Sequence, residues 1–202
     1  MINISKMSKY YGEYPAVIDV SFNISKGESI GLLGPNGAGK STTMKVMTGY
    51  TPPTSGNVNI GGYDIIKNSI DARKLIGYLP ESVPLYTDMT VKEYLSYMGS
   101  LRGMGKNILN RVDEVIDLTS LNQYKNVLIS KLSKGYRQRT GIAQAILHKP
   151  KILILDEPTI GIDPVQVVET RKLIQNLGEE HTLILSSHIL PEVTSLLSLI
   201  HI

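Results

Sequence analysis

The stretch GLLGPNGAGKST, residues 31–42, decides the fold. Gly34, Pro35, Asn36, Gly37, Ala38, Gly39, Lys40 and Ser41 satisfy the spacing G-x-x-x-x-G-K-[ST], and Thr42 extends the run. Before it, SIGLLG (29–34) is a short, continuous apolar run that reads as a strand buried on both faces, and a helix is predicted from Lys40. A strand before and a helix after are the context in which this spacing means a phosphate-binding loop. Glycines let the loop wrap so that successive N–H groups point inward. Lys40 neutralises the β- and γ-phosphates, and the Ser41 hydroxyl reaches Mg²⁺. The bland alternative is a glycine-rich turn with a surface lysine. The segment reads as a nucleotide phosphate site.

Such a site needs a carboxylate to complete its metal shell. KILILD (151–156) reads as a buried strand with Asp156 at its carboxyl end, where parallel sheets gather ligands. Glu157, one residue further, is placed to polarise an attacking water. An Asp-Glu pair after a strand is, by itself, more often a solvated strand end. The neighbouring phosphate loop favours the metal reading. SSH (186–188) follows the strand TLILS and brings His188 to the same sheet edge as a candidate γ-phosphate contact, with a structural histidine as the alternative.

The remaining pattern frames this core. AVIDVSFNI places apolar residues at Ala16, Ile18, Val20, Phe22 and Ile24, the alternation of a half-buried antiparallel strand. NVNIGGYDI suggests a hairpin edge at Gly61 and Gly62, and KLIGYLP (74–80) a strand stopped by Pro80. Residues 82–130 read as helical. Thr90 and Glu93 form a capping box with Val91, Tyr94, Leu95 and Met98 on one face; Ile108, Val112, Val115 and Ile116 make a second amphipathic segment. Downstream, a helix over 163–177, opened by Asp163 and Pro164 and ended by Gly178, lies between two strands as βαβ. The expected fold class is α/β: one domain with a P-loop core of mostly parallel sheet (1–81 and 131–202), an N-terminal antiparallel β layer and a helical subdomain (82–130). There is no internal repeat, low-complexity tract or flexible linker.

Composition removes several function classes. With no cysteine there is no disulfide, thiolate nucleophile or zinc–sulfur site. A net charge of +3 is too weak to argue for nucleic acid or for direct membrane adhesion. The first residues, MINISKMSKYYGEY, lack an apolar signal core, and KILILDE and HTLILSS are too short to span a bilayer. A soluble, cytoplasmic protein is expected, with any membrane role coming through a partner.

LSKGYRQR (132–139) runs straight into the apolar segment TGIAQAIL. Ser133 is a good N-cap, and a helix N-terminus fringed by Arg137 and Arg139 attracts anions. The plain alternative is that Ser133 caps a helix and the arginines are solvated.

Taken in order and spacing, GLLGPNGAGKST, GYLPE, LSKGYRQR, ILILDEPTIGIDP and SSHIL resemble the ATPase cassette of ATP-binding cassette (ABC) proteins over nearly the whole chain. GYLPE followed by PLYTDMTV resembles the export branch, including gliding-motility and multidrug-export ATPases. The resemblance implies ATP and Mg²⁺ as ligands and assigns further roles. Tyr11, in YYG, would stack on adenine, with Tyr10 as a rival and an exposed strand tyrosine as the alternative. Asp156 would be the magnesium residue, Glu157 the catalytic base, His188 the switch histidine and Asp163 the D-loop aspartate that signals across a dimer. Ser133, Lys134, Gly135 and Tyr136 occupy the signature motif, which in this family faces the γ-phosphate of ATP held by another cassette. That ATP is the anion the helix at 133 would meet; the dipole alone contributes roughly 0.3–1 kcal/mol.

Three departures from the family pattern stand out. Lys134 and Tyr136 replace the common glycine and glutamine, leaving Ser133 and Gly135 to carry the contact. Glu81 stands where the coupling loop usually has glutamine; it would approach Mg²⁺ through water, or else face solvent. After SSHILPEVTSLL the chain ends at SLIHI, without the Asp-Arg pair and further strands of the family, which suggests a shortened gene or chain. The resemblance implies an ATP-hydrolysing subunit that drives export by pairing with a second cassette, identical or not, and with separate membrane subunits on the inner face of the cell membrane. No nucleic-acid partner is expected. A soluble cassette ATPase acting on ribosomes or DNA would need tandem cassettes or a long coiled-coil insertion. A nucleotide-binding regulator without turnover sits poorly with Lys40, Glu157 and His188.

Overall fold

A computed structural model describes residues 1–188 and the backbone of 199–201. The readings made on ILPEVTSLLS, beyond His188, lie outside the described residues. The described chain forms two sheets. β1 (Ile2–Tyr11), β2 (Tyr14–Ile24), β4 (Ser55–Ile60) and β5 (Tyr63–Asp64) make an antiparallel layer in the order β2-β1-β4-β5. β3 (Ser29–Leu33), β6 (Ile76–Leu79), β7 (Ile152–Asp156), β8 (Thr182–Ser187) and β9 (Leu199–His201) make a parallel sheet in the order β6-β7-β8-β3-β9. All strands of a parallel sheet end on one edge, so the carboxyl ends of β3, β7 and β8 converge.

The continuous apolar runs have a two-sided explanation. Ile152 and Ile154 of β7 pack with α1 (Lys40–Met47) and the antiparallel layer; Leu153 and Leu155 face the opposite way. That second face is covered by α3 (Val91–Leu101), α4 (Ile108–Leu118), α5 (Lys134–Ile146) and α6 (Pro164–Glu180). Strands covered on both faces have no polar alternation to display. The capping box at Thr90 and Glu93 is present, and Val91, Tyr94, Leu95, Val112, Val115 and Ile116 are buried. The base of the helical arm is tied by backbone bonds, Val91 N–H to Val127 and Ile129 N–H to Met89.

Three expectations are corrected, and one element was not anticipated. Ile18 is exposed and Val17 buried, because β2 carries an irregularity where Asp19 takes φ 51 and donates its N–H to Ser8 Oγ. The extra residue moves Ile18 to the outer face. Gly178 does not end its helix: α6 continues to Glu180, and a Cβ at Gly178 would lie 3.1 Å from Ser29 Oγ, so this glycine serves close packing against β3. Residues 82–90 are not helical, the first helix of the arm beginning at Val91. A short helix α2 (Ser69–Lys74), which the apolar pattern does not mark, precedes β6.

α5 lies directly on β6 through two glycines. A Cβ on Gly77 would strike the Ala145 carbonyl and lie 2.9 Å from Pro150 Cγ; one on Gly141 would meet Leu79 Cδ1 at 2.5 Å. Gly77→Ala is expected to destabilise by about 1–3 kcal/mol through overpacking, seen as a lowered unfolding midpoint. An unchanged midpoint would show that the contact yields freely.

Candidate functional site

The loop leaving β3 turns on glycines. Gly37 and Gly39 adopt φ 87 and 89, and a Cβ on Gly39 would lie 2.8 Å from the Ala16 carbonyl oxygen. Gly39 is also the N-cap of α1 and has no side chain to satisfy the first helical N–H groups, so these donors face the loop's concavity. Lys40 bends back over the loop. Its ammonium donates to the carbonyls of Gly34 (2.7 Å) and Pro35 (3.2 Å) and lies 3.8 Å from Glu157 Oε1.

From β7 comes Asp156, 1% exposed, accepting at Oδ1 from Ser41 Oγ (3.1 Å) and Ser186 Oγ (2.6 Å). Ser186 also accepts from the Glu157 N–H at 2.9 Å. Sequence reasoning missed this serine, although it stands inside the SSH that drew attention to His188. Glu157 is 6% exposed with φ 48, a left-handed conformation rare for a side-chain-bearing residue. Strain of about 1–3 kcal/mol at a buried carboxylate is a mark of functional positions. Its Oε2 pairs with His188 Nδ1 at 2.9 Å. One sheet edge thus brings Lys40, Ser41, Asp156, Glu157 and His188 together.

Of these, Lys40, Ser41 and Glu157 border a cleft of about 380 Å³, within the usual range of roughly 300–1,000 Å³ for small-molecule sites. Its wall runs from residues 36–42 to Glu81, Glu157 and Ile160 on one side and Tyr11, Tyr14 and Ala16 on the other. Tyr11 lines the cleft, whereas Tyr10 is not in its wall among the described residues; neighbours on a strand point to opposite faces. Tyr14, paired with Tyr11 at the turn of the β1–β2 hairpin, is a second aromatic that the sequence reading did not single out. Lys9 Nζ lies 5.2 Å from the Tyr11 ring centroid. Glu81 is exposed but faces this cleft.

For a cation, Ser41 and Asp156 stand together as one hydroxyl and one carboxylate, with Glu81 across the cleft wall, and among the described residues there is no cluster of three or more acidic, histidine or cysteine ligands. That sparse donor set fits Mg²⁺, which keeps waters and substrate phosphates as its other ligands.

Ser133 and Asp163 stand at two other helix starts. Ser133 caps α5, accepting weakly from Tyr136 N–H at 3.5 Å, and Asp163 caps α6, accepting from Gln166 N–H at 3.0 Å. Here the readings of the arginines need correction: Arg139 is not solvated, Arg137 is half-buried, and both guanidinium groups are tied to protein partners. Arg137 donates to the carbonyls of Ile129 (3.2 Å) and Ser130 (2.7 Å), while Arg139 is buried and paired with Glu169. The 129–132 segment leaves carbonyls that need donors, and Arg137 supplies them. Tyr136 stacks on Tyr124 with ring centroids 3.9 Å apart.

A family model described as ABC transporter matches residues 17–160. The bacitracin transport ATP-binding protein BcrA of Bacillus licheniformis is 39% identical over 198 residues, 97% of this chain and 64% of the relative. The linearmycin resistance ATP-binding protein LnrL of Bacillus subtilis is 40% identical, over 96% of this chain and 63% of its own length. The chain therefore spans less than two thirds of either relative. Among solved structures, an ATP-binding subunit of an ABC transporter superposes with TM-score 0.87 at 28% identity, covering 100% of this chain and 86% of that one. A dimeric ATP-binding cassette in a post-hydrolysis state, bound to ADP and inorganic phosphate, gives 0.86 at 25% identity over 96% and 90%.

Proposed function

The chain belongs to the ABC transporter family, and on that premise we propose that it binds and hydrolyses ATP to drive an export-type transporter. The single observation that carries the reading is the convergence of Lys40, Ser41, Asp156, Glu157 and His188 at one sheet edge, with Lys40, Ser41 and Glu157 lining the cleft. The loop N–H groups and Lys40 receive the phosphates, and Tyr11 stacks on the base. Ser41 and Asp156 would hold Mg²⁺, which when bound neutralises charge on the β- and γ-phosphate oxygens. Glu157 takes the proton of the attacking water, and His188, bonded to its other oxygen side, orients the carboxylate. The same groups argue against a regulator without turnover.

The γ-phosphate end of the site is completed by Ser133 and Gly135 of a second cassette, with Asp163 at the junction. Relatives named for bacitracin and linearmycin resistance or transport support an export role and membrane subunits on other chains. Among the described residues no helix is long and apolar enough to cross a membrane, so attachment to the inner face of the membrane runs through those subunits. Glu81, at the cleft wall, and the helical arm form the coupling surface.

The test is Mg²⁺-dependent phosphate release by the assembly purified from detergent-solubilised membranes. Release that depends on co-purifying membrane subunits is expected; association with ribosomes instead would overturn the transport reading. Tyr11→Ala is expected to weaken ATP binding by about 1–3 kcal/mol, the worth of one base–aromatic stack, and Tyr14→Ala by less. A titration showing the reverse order would assign the adenine to Tyr14.

A further inference from the structure

The segments around Ser133 and Asp163 touch at two points. The Gly135 Cα faces α6, and a Cβ placed there would overlap Gln166 Oε1, lying 2.6 Å from its Cδ and 3.4 Å from Nε2. One residue earlier, Lys134 reaches across so that its Nζ lies against Gly161, which takes φ 66 just before Asp163. Gln166 also donates its N–H to the Asp163 carboxylate at 3.0 Å. One residue therefore contacts both the signature glycine and the D-loop aspartate. Its Oε1 is buried without a hydrogen-bond partner, which native structures rarely tolerate without a reason. Packing alone would be served better by an apolar side chain of the same size.

We infer that Gln166 is a positioning residue: its amide sets the N-terminus of α5 against the D-loop, and Gly135 is a glycine because Gln166 fills the place of its Cβ. The inference rests on the reading of Ser133 and Gly135 as a contact to ATP held by a second cassette. Direction supports it. The first N–H groups of a helix point outward along its axis, whereas the Gly135 Cβ direction runs sideways into α6. A methyl there meets Gln166, not an incoming phosphate. Displacing the two helices moves Ser133 Oγ and the Asp163 cap together, so engagement of a partner's ATP is transmitted to the D-loop of the same chain.

The test uses the full assembly and measures ATPase kinetics and unfolding midpoints for Gly135→Ala, Gln166→Ala and the pair. Gly135→Ala is expected to lower kcat by about 10²-fold, the scale of an ångström-size misplacement, with a much smaller change in KM for ATP because the Lys40 loop, which receives most of the phosphate contacts, is untouched. Adding Gln166→Ala, which vacates the Cβ position, should restore kcat to the level of Gln166→Ala alone. A double variant as slow as Gly135→Ala would overturn the inference, as would a fully active Gly135→Ala. Gln166→Leu gives an independent check that keeps the volume. Reduced kcat at an unchanged midpoint supports a role for the amide, and wild-type kcat removes it. Ser133→Arg serves as the control: if it leaves turnover intact, the shared site itself fails, whereas a failed rescue beside an inactive Ser133→Arg refutes only the role of Gln166.

Discussion

Glu157→Gln should lower the rate of phosphate release about 10²–10⁴-fold, the range for losing a general base, while ATP binding persists. The carboxylate is buried, held in a strained backbone conformation and bonded to His188 at 2.9 Å. Glutamine has the same shape and can keep the bond to the imidazole, so the fold of the site survives. What disappears is the ability to accept a proton. Removing the negative charge 3.8 Å from Lys40 also frees that ammonium for phosphate, so binding should be equal or tighter. A variant that turns over at the wild-type rate would show that the base lies elsewhere.

Lys40→Ala should act on binding instead. The ammonium already sits over the loop, held by the Gly34 and Pro35 carbonyls, and on the proposed reading it would exchange them for phosphate oxygens. Charge-assisted bonds contribute about 1.5–3 kcal/mol each, so losing the contact to two phosphates should raise the Kd for ATP by roughly 10²-fold or more. Equilibrium titration with ATP is the measurement. Unchanged affinity would mean that the loop does not receive the phosphates.

The two variants separate because of features that were partly legible in the sequence. The phosphate loop, Asp156 and Glu157 could be placed because each follows a run of β-forming apolar residues, and parallel strands deliver their ends to one edge. Helices α3 to α6 were readable from apolar spacing and caps. What escaped depended on long-range geometry. Ser186 is indistinguishable from any strand serine until β8 is laid beside β7, and Tyr14 matters only because the hairpin returns it beside Tyr11. Gly178 resembles a helix stop, yet the approach of β3 gives it a different purpose. The Asp19 irregularity likewise leaves no mark in the alternation of residues 16–24. Arg137 and Arg139 looked like a solvated fringe because their partners, two loop carbonyls and Glu169, lie on other elements.

The central claim is that ATP is held jointly, with Lys40 from one chain and Ser133 from another. It is tested most directly by mixing two inactive variants in the full assembly. Lys40→Ala removes phosphate neutralisation. Ser133→Arg fills the place of the partner's γ-phosphate with a bulky side chain. A mixed dimer has one site carrying both defects and one site pairing an intact Lys40 with an intact Ser133. The account predicts ATPase activity in the mixture well above that of either variant alone. A mixture as inactive as its parents would contradict the shared site, provided that mixed dimers are shown to form and that a dimer of wild type with the doubly substituted chain is active.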